Sequence, residues 1–200
     1  MQISDDNMKF KILFKCAVTY IFILAGGVAK AQCELDEYPV EEEPKSDVLV
    51  ANFGDWLVFS TEDKTRCWAL SESIFSNYRH LRGRDKLCRG SSALFVTFDN
   101  QSSIDGQPSI KFGFRLNKSI PPLLIAKTKS FTFNFVSGEF SWPTNIAGDE
   151  ELLNILSEST SVRIYSQSDN GISVADRFSL NGYNSAVRTA ELTCLRYPMS

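Results

Sequence analysis

The sequence predicts a mostly-β fold: an all-β sandwich carrying one short helix and a C-terminal helix. Three observations predict it. Short apolar segments recur along the body at roughly regular intervals, and several alternate apolar with polar residues, the period of two that marks a half-buried strand. Fifteen Phe stand against eleven Gly and three Met, a strand-favouring mixture. Asp169-Asn170-Gly171 separates two apolar segments, and an Asn-Gly turn between such segments is a strong hairpin signal.

Taken in order, Val48 to Phe53 and Asp55 to Ser60 read as strands flanking Gly54. Arg66 to Ser71 and Ala93 to Phe98 follow. Ile110, Phe112, Phe114 and Leu116 alternate with polar residues or glycine, which predicts one strand over 110–116. Pro121-Pro122 ends it, and Leu123 to Lys127 begins the next. Phe131, Phe133 and Phe135 alternate with Thr132 and Asn134, predicting a strand that turns near Ser137-Gly138 into Glu139 to Trp142. Val162 to Ser166 and Ile172 to Phe178 complete about nine strands. Asp149 to Leu156 carries an acidic first turn after Gly148 and reads as a two-turn helix. Tyr183, Val187, Ala190 and Cys194 share one face of a terminal helix.

The N-terminus reads as an export signal. Lys9 to Lys15 is basic, Cys16 to Val28 is almost wholly apolar, and Ala29-Lys30-Ala31 fits a cleavage site. Cleavage is expected after Ala31. Met1 to Asn7 is acidic, so Met8 offers a second start. The apolar run is short for a membrane span; an uncleaved anchor is the alternative. Lipidation at Cys33 is a further one, although Gln32 stands where a small residue is wanted. The expected organisation is therefore a signal peptide at 1–31, an acidic extended linker at 32–47 and a single domain at 48–200.

Without the leader, Cys33, Cys67, Cys88 and Cys194 remain, and an even count in an exported chain implies disulfides with three connectivities open. Cys67, in an apolar strand, is the better partner for Cys194 on the docking face of the terminal helix. Seven acidic residues and one Lys lie between Glu34 and Asp47, a solvated arm. Arg79, Arg82, Arg84, Lys86 and Arg89 crowd into eleven positions with one Asp. Opposite charge favours encounter of the cysteines these two segments carry, which suggests a Cys33–Cys88 bridge. The same loop has two other readings: an anionic-surface binder, or a solvated face.

Catalytic signals are sparse. His80 is the only histidine, which argues against His-dependent chemistry and multi-His metal sites. No nucleophile-elbow, zincin, dinucleotide, P-loop or EF-hand motif occurs. The carboxylate runs Glu41 to Glu43 and Asp149 to Glu151 read as solvation and helix-dipole compensation. A net charge of −3 argues against nucleic acid. The Phe stripes read as core; Trp56, Trp68 and Trp142 would line a sugar groove if exposed.

Phe53-Gly-Asp-Trp56, then Cys67-Trp-Ala-Leu-Ser71, then Arg89-Gly90 ahead of Ala93 to Phe98, and above all Ser179-Leu180-Asn181-Gly182-Tyr183 running on to Ala186, resemble the invasion-associated locus B family of exported proteobacterial proteins. The resemblance spans roughly residues 50–195. It implies an immunoglobulin-like β-sandwich. Many relatives carry a Cys where Ser60 stands, so its absence here leaves Cys67 free for Cys194. The basic loop with Cys88 and the acidic arm with Cys33 look like insertions, which supports pairing those two.

The expectation is a non-enzymatic periplasmic or outer-membrane-associated protein, or a secreted one. It would bind another envelope or surface component through its sheet surface and the Arg79–Arg89 loop. No cofactor, metal or nucleic acid is expected, and peripheral membrane association is left open. A carbohydrate-binding module is the alternative, and an enzyme with an unrecognised site a third reading.

Overall fold

A computed structural model describes residues 47–79, 89–102, 104–143 and 146–195. The expected signal peptide, nearly all of the acidic arm, and Cys33, His80, Arg82, Arg84, Lys86 and Cys88 lie outside the described residues.

Among the described residues, eleven strands form one antiparallel sheet with two helices against it. β1 (Val48–Phe53) and β2 (Trp56–Ser60) form a hairpin. β3 (Arg66–Arg79) pairs through its first half with β2 and β4 (Ala93–Asp99). Its second half pairs with β11 (Ser173–Ser179). β3 thus belongs to two half-sheets. One runs from β1 through β4 to β5 (Ile104–Lys111), β9 (Phe140–Trp142) and β8 (Phe135–Ser137). The other continues from β11 to β10 (Ser161–Gln167), β6 (Leu123–Ala126) and β7 (Lys129–Thr132). The expected sandwich is realised as this curled sheet, whose two halves share a single core.

Strand alternation builds that core. Val58, Cys67, Ala69, Leu94, Val96 and Ile110 point inward from one half, and Leu124, Val162, Ile164, Val174 and Phe178 from the other. α2 (Tyr183–Leu195) lays Tyr183, Ala186, Ala190 and Cys194 on them. α1 (Ile146–Ser157) adds Leu152 and Leu156, one turn apart. α1 begins three residues earlier than the acidic signal at Asp149 suggests, so Gly148 lies inside its first turn. No helix among the described residues is long and apolar enough to cross a membrane.

Two expected strands are corrected. The alternation over 110–116 is a strand only to Lys111. Gly113, at φ +68°, passes so close to Gly90 that a Cβ would stand 2.4 Å from its carbonyl oxygen, and the ladder breaks there. Phe112, Phe114 and Leu116 remain buried, because Phe112 and Leu116 donate their amides to Glu139 and Gly138 of the β8–β9 hairpin. The Phe131–Phe133–Phe135 stripe is likewise not one strand. Phe131 lies in β7 and Phe135 in β8, at opposite ends of the sheet order. Phe133 is buried at the crossing, where Ser141 Oγ donates to its carbonyl at 2.8 Å and to that of Phe135 at 3.1 Å. Alternation reported hydrophobicity correctly here and strand continuity wrongly.

Candidate functional site

The two sequence motifs that carried the resemblance, some 120 positions apart in the chain, meet in space. Gly54 and Asp55 form the β1–β2 turn, and Ser179 to Tyr183 link β11 to α2. Ser179 Oγ donates to Asp55 Oδ2 at 2.6 Å. Asp55 N donates to the Asn181 carbonyl at 3.1 Å, and Trp56 Nε1 to the Ser179 carbonyl at 2.9 Å. Trp56 is 0% exposed and meets Tyr183 edge-on, with ring centroids 5.0 Å apart. Leu180 is buried beside them. Gly182 has φ +96°, and a Cβ there would fall 1.8 Å from the Phe53 carbonyl oxygen. Only glycine tolerates both conditions. These nine motif residues therefore lock the hairpin to the terminal helix. They are architecture, and Trp56 cannot line a sugar groove.

The far end of the same helix is tied as well. Cys194 forms a disulfide with Cys67, the pair preferred from sequence, with Cα atoms 5.8 Å apart. Ser60 faces Cys67 across the β2–β3 ladder and is buried.

Arg89 does not project outward. Its guanidinium holds Asp176 with two hydrogen bonds of 2.8 and 2.6 Å, and its Nε donates to the Phe112 carbonyl at 3.2 Å. The Asp176 side chain is 0% exposed and also accepts from Ser76 at 2.6 Å and Ser92 at 3.3 Å. Arg89 closes the fold where β3, β4 and β11 meet. Arg79 ends β3, opposite Ser173.

The surface with binding character is the outer face of the first half-sheet. Cys67 and Ala69 point inward, so Arg66, Trp68 and Leu70 point out; the same parity turns Phe95 and Thr97 outward on β4. Trp68 stacks on Phe59 with centroids 6.1 Å apart, and Trp142 on Phe140 at 5.8 Å. Trp68, Phe95, Phe140 and Trp142, with Arg66 and Gln107, border a groove of about 330 Å³. Arg66 is fixed by Asp99 at 2.9 Å. Burial pushes the Asp99 carboxyl up, but Arg66 and the amides of Gln101 and Ser102 outweigh it and hold it below its ordinary value. Among the described residues no three His, Cys, Asp or Glu side chains are grouped to hold a metal. Sequence reading anticipated the two tryptophans and missed Phe95 and Phe140. Their outward parity was legible, but which face of each strand meets the core was not.

These features define a class: a curled antiparallel β-sheet with a terminal helix locked at one end by a Trp–Gly turn and stapled at the other by a disulfide. Invasion associated protein B from Bartonella henselae is a solved structure similar to it, with a TM-score of 0.50 and 12% identity over 75% of this chain and 100% of that one. The likeness shows a shared fold, mostly β as the sequence resemblance implied. No protein-family model matches the chain, and no curated protein matches it.

Proposed function

We propose that the chain is an exported, non-enzymatic protein of the invasion-associated locus B kind. It acts in the periplasm or at the outer membrane by binding another envelope or surface component. The observation that carries this reading is the aromatic outer face: four half-buried rings from β3, β4 and β9 around one groove, on a sheet whose inner face is already filled. Apolar surface left open in this way marks an interaction site. Aromatic side chains supply much of the energy at such contacts. The basic segment with Arg82, Arg84 and Lys86 lies outside the described residues; in this reading its charge sets encounter rate more than affinity.

The test is co-sedimentation of the full chain with an envelope fraction. Trp68→Ser with Phe140→Ser should abolish retention while the circular dichroism spectrum is kept. Retention equal to wild type would remove the face from the account. A second reading has its own observation: Trp68 and Trp142 border the groove together with Gln107, a combination that suits a neutral sugar. Neutral oligosaccharides shifting the fluorescence of those two tryptophans would favour it over a protein partner.

A further inference from the structure

The other half-sheet carries a second outer surface of different chemistry. Arg163 on β10 and Arg177 on β11 are direct cross-strand partners, and Arg177 is in turn opposite Phe75 on β3. Two residues along, Tyr165 faces Ala175, and Ala175 faces Asn77. All of these except the half-buried Ala175 are exposed, Phe75 by 60% and Tyr165 by 41%. The small side chain of Ala175 leaves a hollow of about 450 Å³ between the guanidinium row and the row containing Tyr165 and Asn77.

Among the described residues the charge on this surface is uncompensated. Neither Arg163 nor Arg177 has a carboxylate partner among the described residues. Asp176, the acidic residue between the rows, points inward to Arg89. Like charges directly opposed on a ladder destabilise it. A bound anion would remove that penalty, and guanidinium forks match carboxylate or sulfate oxygens two at a time. The backbone narrows the choice of partner. Arg163 is laddered to both Ile125 and Arg177, and Arg177 to both Arg163 and Phe75. An extended peptide therefore finds no free strand edge here. What the surface offers is side chains alone: two forks, an exposed phenol, an exposed phenyl and an amide.

We propose that this face binds an acidic polysaccharide. Arg163 and Arg177 pair with the carboxylate or sulfate groups of successive sugars, and the sugar rings rest on Tyr165 and Phe75. The site is separate from the Trp68 groove, so the failure of either proposal leaves the other standing.

Isothermal titration of the full chain with a heparin-derived octasaccharide and with an oligogalacturonate is the test. Polyglutamate of matched charge and neutral dextran serve as comparisons. At least one acidic saccharide should bind, more weakly as salt rises. Each guanidinium removed, by Arg163→Gln or Arg177→Gln, should weaken it about tenfold. Tyr165→Ala, which leaves the charge intact, should also weaken it. These positions are solvent-exposed, and a melting temperature no lower than wild type confirms that each variant is folded. Absence of binding to both saccharides overturns the proposal. So does binding that survives the double arginine substitution, since another basic surface then carries it. Polyglutamate binding as tightly as the saccharides overturns it too, because charge alone would then suffice.

Discussion

Replacing Arg89 with Met separates two accounts of the basic segment. If Arg89 were one more surface cation, its loss would move stability by no more than about 0.5 kcal/mol. In the structure it is the bidentate partner of a carboxylate with no solvent access, at 2.8 and 2.6 Å. Without it, Asp176 keeps only the hydroxyls of Ser76 and Ser92. Removing one member of a buried pair costs about 3–5 kcal/mol, because the charge left behind is neither hydrated nor paired. That is a large share of the roughly 5–15 kcal/mol that holds a domain of this size together. The assay is urea unfolding followed by the emission of the buried Trp56, with reversal of charge at Arg82, Arg84 and Lys86 as the comparison. Arg89→Met combined with Asp176→Leu should recover most of the loss, since the expense lies in the orphaned charge and not in the missing contact. A loss below about 1 kcal/mol for Arg89→Met alone would refute the reasoning.

Further outcomes follow from the same structure. The Cys67–Cys194 bridge closes a separation of 127 residues, so Cys194→Ser should lower stability by about 5 kcal/mol from loop entropy alone; equilibrium unfolding with and without reductant reads it. Gly182→Ala forces a Cβ onto the Phe53 carbonyl and should cost at least about 3 kcal/mol, measured as a fall in thermal midpoint; Gly138→Ala, at a turn with nothing near its added carbon, should cost less. The Asp149 carboxyl is pushed up to about 6 by burial, and one of its oxygens has no hydrogen-bond partner. The folded state then holds the proton more tightly than the unfolded chain, so this group's contribution falls as pH rises from about 4 to 6. For so half-exposed a group about 1 kcal/mol is at stake, and Asp149→Asn should remove that slope from a pH series of melting curves. Asp99 acts oppositely: held below its ordinary value, it adds stability above about pH 4 that is lost on further acidification, and Arg66→Met should diminish that loss.

Local signals in the sequence proved sound where the physics is local. Asp169-Asn170-Gly171 makes its hairpin, with Gly171 at φ +86° and the Ser168 amide donating to the Ile172 carbonyl. The i, i+7, i+11 spacing of Tyr183, Ala190 and Cys194 placed the cysteine on the buried side of α2. Long-range relations were harder. Nothing near Arg89 distinguishes it from the other basic residues of its segment, because the carboxylate it serves lies 87 positions away. The Phe131–Phe135 stripe is hydrophobic for two reasons at once, two short edge strands and a buried crossing, and periodicity cannot tell these from one strand. The outer aromatic groove draws on β3, β4, β5 and β9, so it exists only once the register Trp68–Thr97–Gln107 is set. Opposed arginines at 163 and 177 carried a sequence cue, since both flank the Asn-Gly hairpin at matching distance.

The most direct measurement is site-specific photo-crosslinking in intact cells. A photoreactive residue is placed at Thr97 or Gln107 in the outer groove, and at Arg188 on the exposed side of α2 as the comparison. One dominant adduct from both groove positions, absent from Arg188 and lost when Trp68 and Phe140 are replaced by Ser, is the predicted result. No adduct from the groove, or the same adducts from all three positions, would contradict the claim that the outer sheet face is where this protein does its work.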